Sequence, residues 1–162
     1  MSKQTETTAK AETYLTLKAR HQKEVDALPI FFAFSNSQFD EGCKKYGVTD
    51  PAKELYKLGG GGFYRKADSG LIRDTFTRHA AEKKAAMNNE EYAISAYIYE
   101  AGNHEFHINM DPHFDMANCF GYPTTKNDWG STVIDWAKVE NGEFLQKCYK
   151  KAISQFLATA QY

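Results

Sequence analysis

Tyr92-Ala93-Ile94-Ser95-Ala96-Tyr97-Ile98-Tyr99-Glu100-Ala101 is the stretch that settles the fold class. Apart from Ser95 and Glu100, every position is apolar or aromatic. A helix of that composition has no polar face, so the run reads as a central helix buried on most sides. Gly102-Asn103 supplies a natural C-cap. Downstream, Glu105 to Met110 alternates and reads as a strand that turns Phe106, Ile108 and Met110 toward the core. Asp111 and Pro112 then give N-cap and N1 signals for a helix to about Phe120. Gly121 to Gly130 reads as a loop and Thr132 to Val139 as a short helix. A last helix carries Leu145, Cys148, Tyr149, Ala152, Ile153, Phe156, Leu157 and Ala160 on one stripe.

Upstream, a long helix covers about Leu71 to Met87 and breaks at Asn88-Asn89, after a turn at Asp68-Ser69-Gly70. Phe63 to Lys66 reads as a strand behind four consecutive glycines, Gly59 to Gly62. Asp50-Pro51 opens a helix that leads into those glycines, and Gly47 closes an earlier one. Ser35 starts that earlier helix, with Gln38 three residues on completing a capping box. Ile30 to Phe34 is short and aromatic, as a buried strand requires. From Thr8 to Leu28, Tyr14, Leu17, His21, Val25 and Leu28 share a helical stripe that Pro29 ends. Residues 1–7 read as a disordered tail. The sum is an α+β fold: a mostly helical single domain over 8–162 with a small two- or three-stranded sheet, no internal repeat and no linker.

The chain has 162 residues, 42 % hydrophobic and 14 % aromatic, with ten Tyr and eleven Phe. Folding at this length buries roughly two-thirds of the unfolded surface, so a core forms without staples. A net charge of −1 gives no general attraction to nucleic acid or to an anionic membrane. Cys43, Cys119 and Cys148 are odd in number and lack a CxxC pair, which argues against a zinc ribbon or redox motif. The polar first ten residues and the lack of a long apolar run point to a cytoplasmic protein with reduced thiols.

Three of the five histidines fall in His104-Glu105-Phe106-His107-Ile108-Asn109-Met110-Asp111-Pro112-His113. Imidazole and carboxylate ligands suit a divalent metal, with His104, His107, Asp111 and His113 as the set and hydrolysis as the chemistry. The strand reading opposes it, because alternation places His104 and His107 on opposite faces. His-Glu-Phe-His is also one residue short of the zincin spacing. The structural account places His104 at a helix C-terminus, where it meets the last carbonyls, and leaves His113 exposed in the next first turn. No cofactor is favoured. Pairing Glu100 with Glu105 as acid and base has no fixed separation to support it.

The glycine run lets backbone approach a ligand and can form an anion nest. With Tyr64, Arg65 and Lys66 following Gly60, Gly61 and Gly62, a nucleotide or phosphate pocket is physically sound, and Glu105 and His107 complete the candidate ligand-binding set. Neither the P-loop nor the Rossmann pattern matches, and the favoured account of the run is a flexible helix-to-strand connection that uses glycine for positive φ. His79 reads as a satisfied helix histidine. Cys43 sits inside a helix with no nucleophile signature. Trp129 and Trp136 are either core anchors or a partner-binding and oligomer-forming surface.

Phe31-Phe32-Ala33-Phe34-Ser35-Asn36-Ser37-Gln38-Phe39, the run Gly59 to Lys66, and Asn103-His104-Glu105-Phe106 resemble, in order and spacing, a group of small uncharacterised proteins of gut anaerobes and their phages and mobile elements. The similarity spans about Leu28 to Phe120. It implies a cytosolic accessory protein of the kind phages encode. Such a protein binds and blocks a host protein in an anti-defence role, or sequesters a signalling nucleotide. The leading expectation is therefore a non-enzymatic binding protein for a host protein or a nucleotide-like ligand. The alternatives are a metal-dependent hydrolase and an oligomer-forming structural protein.

Overall fold

Helix periodicity and capping place most of the elements. The structure, a computed structural model, describes residues 12–160, so the expected tail at 1–7 lies outside the described residues. In chain order the elements are α1 (Tyr14–Asp26), β1 (Ile30–Phe32), α2 (Asn36–Lys45), α3 (Pro51–Glu54), β2 (Leu55–Leu58), β3 (Gly62–Arg65) and α4 (Ser69–Ala86), then α5 (Glu90–Asn103), α6 (Pro112–Phe120), β4 (Thr124–Lys126), β5 (Thr132–Ile134) and α7 (Gly142–Thr159). The class is α+β and mostly helical. The chain divides into two compact units, Lys18–Glu82 and the segments on either side of it, to Leu17 and from Lys83.

In the Lys18–Glu82 unit the sheet runs β1-β3-β2, antiparallel throughout. Ser35 caps α2 by accepting from the Gln38 N–H at 3.2 Å. Gln38 answers one residue earlier than a standard capping box, its Oε1 accepting from the Phe34 N–H at 2.7 Å. Gly47, at φ 67°, ends α2. The Val48 N–H donates to the Cys43 carbonyl and the Gly47 N–H to that of Lys44, a Schellman motif. Phe31, Cys43, Val48 and Leu55 form the core here, with Phe39, Tyr46 and Phe63 against it. Gly42 is glycine because the Phe31 ring lies where a Cβ would stand, 2.1 Å from the nearest ring carbon.

Three expectations fail in this unit. The strand expected to be buried over Ile30 to Phe34 ends at Phe32, and Phe32 and Phe34 are exposed. The helix opened by Pro51 lasts four residues, and the chain then enters β2 rather than continuing helical to the glycines. Leu55 to Leu58 pairs with all of β3, which overrides a weak local preference. Asp68-Ser69-Gly70 is not a turn: a 3₁₀ segment over Lys66–Asp68 runs directly into α4.

In the other unit α5 packs along α7. Ala93, Tyr97 and Ala101 on α5 share a core with Leu145, Cys148, Tyr149 and Ala152 on α7, and with Met116 and Ala117 of α6. The alanines let the helices approach, and Tyr97 fills the space between them. Its ring meets Phe120, Tyr122 and Tyr149 edge-on, and its hydroxyl lies 2.7 Å from that of Tyr122. Burial, then Tyr122, pushes the Tyr97 hydroxyl far above the ordinary phenol range.

The expected strand at Glu105–Met110 is a turn instead. The Ile108 and Asn109 N–H groups both donate to the Glu105 carbonyl. Only Phe106 of the expected inward set is buried, while Ile108 and Met110 are exposed. The expected Gly121–Gly130 loop contains β4, and the expected Thr132–Val139 helix is β5 followed by a 3₁₀ turn at Trp136–Lys138. Together β4 and β5 make a two-stranded sheet. Alternation of Thr132, Val133 and Ile134 carries that strand, with Thr132 and Ile134 buried. Among the described residues no helix is long and apolar enough to cross a membrane.

Candidate functional site

Helix α5 keeps Gly102 and Asn103 as its last helical residues rather than as its C-cap, which is His104. The Phe106 N–H donates to the Ala101 carbonyl at 2.9 Å and the Glu105 N–H to that of Gly102 at 3.2 Å. This is a second Schellman motif, with Glu105 at the left-handed position, φ 49°, where α2 uses glycine. Buried Phe106 anchors it. The motif holds His104 one helical turn beyond Glu100, on the same face.

Glu100 is buried. The Tyr14 hydroxyl donates to its Oε1, and the Asn103 amide donates to its Oε2 at 3.2 Å. Burial, then Glu100, pushes the Tyr14 hydroxyl above the ordinary range. His104 Nε2 lies 3.8 Å from Glu100 Oε2 and 3.0 Å from the Sγ of exposed Cys119, in the last turn of α6. A carboxylate oxygen, an imidazole nitrogen and a sulfur thus converge within 4.8 Å of one another. Both neighbours face the same ring nitrogen. A relay that orients a base would instead place the carboxylate on the opposite nitrogen.

The rest of the histidine stretch goes elsewhere. His107 is exposed, 6.0 Å from the Phe156 ring. Asp111 accepts from the Thr132 hydroxyl at 2.7 Å, which in turn accepts from Lys126 at 2.7 Å. His113 is half-buried rather than exposed. Its Nδ1 lies 2.8 Å from the Tyr149 hydroxyl, and burial, opposed by Asp111, lowers its pKa. Asp111, His113 and Lys126 line a polar cleft of about 500 Å³. Of His104, His107, Asp111 and His113, only His104 joins a group of converging ligand atoms among the described residues.

The candidate ligand-binding residues fall in both units. Gly60, Gly61, Gly62, Tyr64, Arg65 and Lys66 belong to Lys18–Glu82, whereas Glu105 and His107 belong to the other. A strand, not a helix, precedes the glycines. Leu58 pairs with Gly62, so Gly59–Gly61 is a three-residue hairpin loop, with Gly60 at φ 70° and Gly61 at φ 79°. Register divides the sheet's faces. Phe31, Phe63, Leu55 and Arg65 share the inner one, where Arg65 is held by Asp68 at 2.7 Å and donates to the Tyr46 carbonyl at 3.2 Å. Ile30, Tyr64 and Tyr56 make one row of the outer face, and Phe32, Gly62 and Leu58 the next. Phe63 therefore points into the core, and Tyr64 away from it. Phe32, Phe34 and Tyr56 are 58 %, 78 % and 48 % exposed. The Phe32 and Phe34 rings come within 3.2 and 3.0 Å of where Cβ atoms on Gly62 and Gly61 would stand, so these glycines make room for them. The Lys66 ammonium lies 5.0 Å from the Tyr56 ring centroid.

A second feature of this unit is a pattern written twice: Arg20-His21-x-x-Glu24 on α1 and Arg78-His79-x-x-Glu82 on α4. The helices run antiparallel here, so each histidine meets the other helix's carboxylate, His21 with Glu82 at 2.8 Å and His79 with Glu24 at 2.6 Å. The two buried rings stack with centroids 3.8 Å apart. Arg20 and Arg78 each bridge both carboxylates. Arg78, then His79, holds the Glu24 carboxyl at about 2, and His21, then Arg20, does the same for Glu82. Comparing the two helices residue by residue would have found the repeat, which periodicity alone passed over. The network ties α1 to α4. Of the tryptophans, Trp136 packs on Tyr122 and Tyr149, while Trp129 is 91 % exposed.

The chain belongs to a family of unknown function, DUF7659, whose pattern matches residues 13–155. No curated protein and no solved structure matches it.

Proposed function

We propose that this protein acts by binding, and that its ligand is nucleotide-like: a flat ring carrying phosphate. The observation that supports this is the outer sheet face of the Lys18–Glu82 unit, where exposed Phe32, Phe34 and Tyr56 stand beside side-chain-free Gly61 and Gly62. Aromatic rings on a sheet stack on any base, because every base has a π-face. Lys66, whose ammonium stands over the Tyr56 ring, supplies the positive charge that phosphate requires. Arg65 takes no part in recognition. Its guanidinium is engaged by Asp68 and the Tyr46 carbonyl, which makes it a structural residue.

Calorimetric titration with ATP, AMP and ribose 5-phosphate tests the reading. ATP binds, and ribose 5-phosphate, which lacks the base, binds far more weakly. Phe34→Ala or Tyr56→Ala each removes a stacking surface of about 1–3 kcal/mol, or about 5- to 140-fold in affinity. Lys66→Ala weakens ATP more than AMP. Absence of binding by all three compounds at millimolar concentration refutes the proposal. So does ATP affinity that is unchanged in a folded Phe34→Ala/Tyr56→Ala double variant.

A further inference from the structure

We infer that Glu100, His104 and Cys119 form a binding site for a borderline divalent metal ion of the zinc or cobalt class. The inference is independent of the nucleotide reading and concerns the other unit. Three donors of different chemistry, separated by 19 residues of sequence at most, reach one point: a carboxylate oxygen, His104 Nε2 and Cys119 Sγ. A tetrahedral zinc site with bonds of about 2.0–2.3 Å places its ligand atoms roughly 3.3–3.6 Å apart. The observed 3.0 Å between nitrogen and sulfur and 3.8 Å between nitrogen and oxygen bracket that spacing. The third pair, carboxylate oxygen and sulfur, lies within 4.8 Å, so closing on an ion takes side-chain rotations of His104 and Cys119 that even out the three separations.

The surroundings are those of a held ligand set. Glu100 is buried, and Tyr14 and Asn103 fix its two oxygens by donating to them. Such outer hydrogen bonds set the orientation of a coordinating carboxylate. His104 is placed by the helix-ending motif, whose Glu105 holds the left-handed conformation that glycine normally supplies. Cys119 is exposed, so an ion in solution can reach its sulfur. The sulfur and imidazole exclude the hard ions: magnesium and calcium take oxygen cages, whereas thiolate with imidazole selects zinc, cobalt or their neighbours. On binding, the Cys119 thiol gives its proton to buffer as the sulfur–metal bond forms, so uptake releases a proton and strengthens as pH rises.

The test is titration of the full chain, kept reduced and stripped with chelator, with cobalt(II) alone. One equivalent generates a thiolate-to-cobalt charge-transfer absorption in the near ultraviolet, and zinc(II) displaces it. Cys119→Ser abolishes that band. Cys43→Ala keeps it, since Cys43 is buried in the other unit. Glu100→Gln, the same size as the native residue, lowers zinc affinity by at least about ten-fold. Tyr14→Phe, which leaves all three donors, lowers it by about 10- to 100-fold. A missing charge-transfer band overturns the site. A band that survives Cys119→Ser overturns it as well, as does zinc affinity unchanged in both His104→Ala and Glu100→Gln. Circular dichroism of each variant separates loss of a ligand from loss of the fold.

Discussion

Glu105→Gly should make this protein more stable. Among the described residues, α2, α5 and α6 end in the same way, with a left-handed residue and two hydrogen bonds back into the last turn. At α2 and α6 that residue is Gly47 or Gly121, at φ 67° and 68°, whereas at α5 it is Glu105 at φ 49°. A side-chain-bearing residue in this conformation costs about 1–2 kcal/mol, from Cβ crowding its own carbonyl. Glycine removes that cost but raises the entropy of the unfolded chain, which offsets about 0.4–1 kcal/mol. The Glu105 side chain is exposed, so the difference stands at about 1 kcal/mol in favour of glycine. For a chain of this length that is a rise of about 2–4 °C in Tm. Urea unfolding followed by circular dichroism should show a higher midpoint with an unchanged slope. Gly47→Ala and Gly121→Ala should move the midpoint down by a similar amount. A neutral or destabilised Glu105→Gly variant would refute the strain argument. It would mean that the glutamate side chain contributes an interaction large enough to balance its backbone.

Acid should destabilise the Lys18–Glu82 unit through Glu24 and Glu82. Their carboxyls sit near 2 in the folded protein against 4.5 unperturbed, so the stability they contribute is complete above about 4.5 and is lost as pH falls through about 2. In Glu24→Gln/Glu82→Gln that part of the acid transition should vanish; a profile identical to wild type would show that the network does not control it. Gly42→Ala sets two effects against each other. Alanine gains about 1 kcal/mol of helix preference in α2, but its Cβ would stand 2.1 Å from a Phe31 ring that Phe39, Tyr46 and Phe63 hold in place. Overpacking of about 1–3 kcal/mol wins, so the variant should unfold at a lower urea midpoint, and a raised midpoint would show that the ring moves freely.

The regular helices were legible without coordinates because their signals are local. The apolar run of α5, broken only by Ser95 and Glu100, and the single stripe of α7 report burial directly from sequence. Ser35 and Pro112 mark helix starts through backbone groups within one turn of themselves. The α+β class follows from those elements. What periodicity could not read is anything set by distant partners. Leu55-Tyr56-Lys57-Leu58 is a strand because β3 lies beside it, and Thr132-Val133-Ile134 because β4 does. Glu105 to Met110 alternates like a strand, yet among the described residues no strand pairs with it, and it closes on itself as a turn.

The candidate sites divide along the same line. Glu100 and His104 are four residues apart on one helix, and their shared face can be read from spacing. Cys119 joins them only because α6 packs beside α5, a contact that no local pattern encodes. His107, Asp111 and His113 look like companions of His104 in the chain but part from it in space, since the turn at Glu105 redirects the backbone. The glycine hairpin and its aromatic neighbours were visible as residue types. Which rings face outward was settled by strand register, where a shift of one residue exchanges the two faces of the sheet. Local sequence chose the helices and their ends, because hydrogen bonds within a turn need no partner from elsewhere. Long-range packing chose the strands, the exposed aromatic face and the convergence of carboxylate, imidazole and thiol, because each of these exists only when segments far apart in the chain come together.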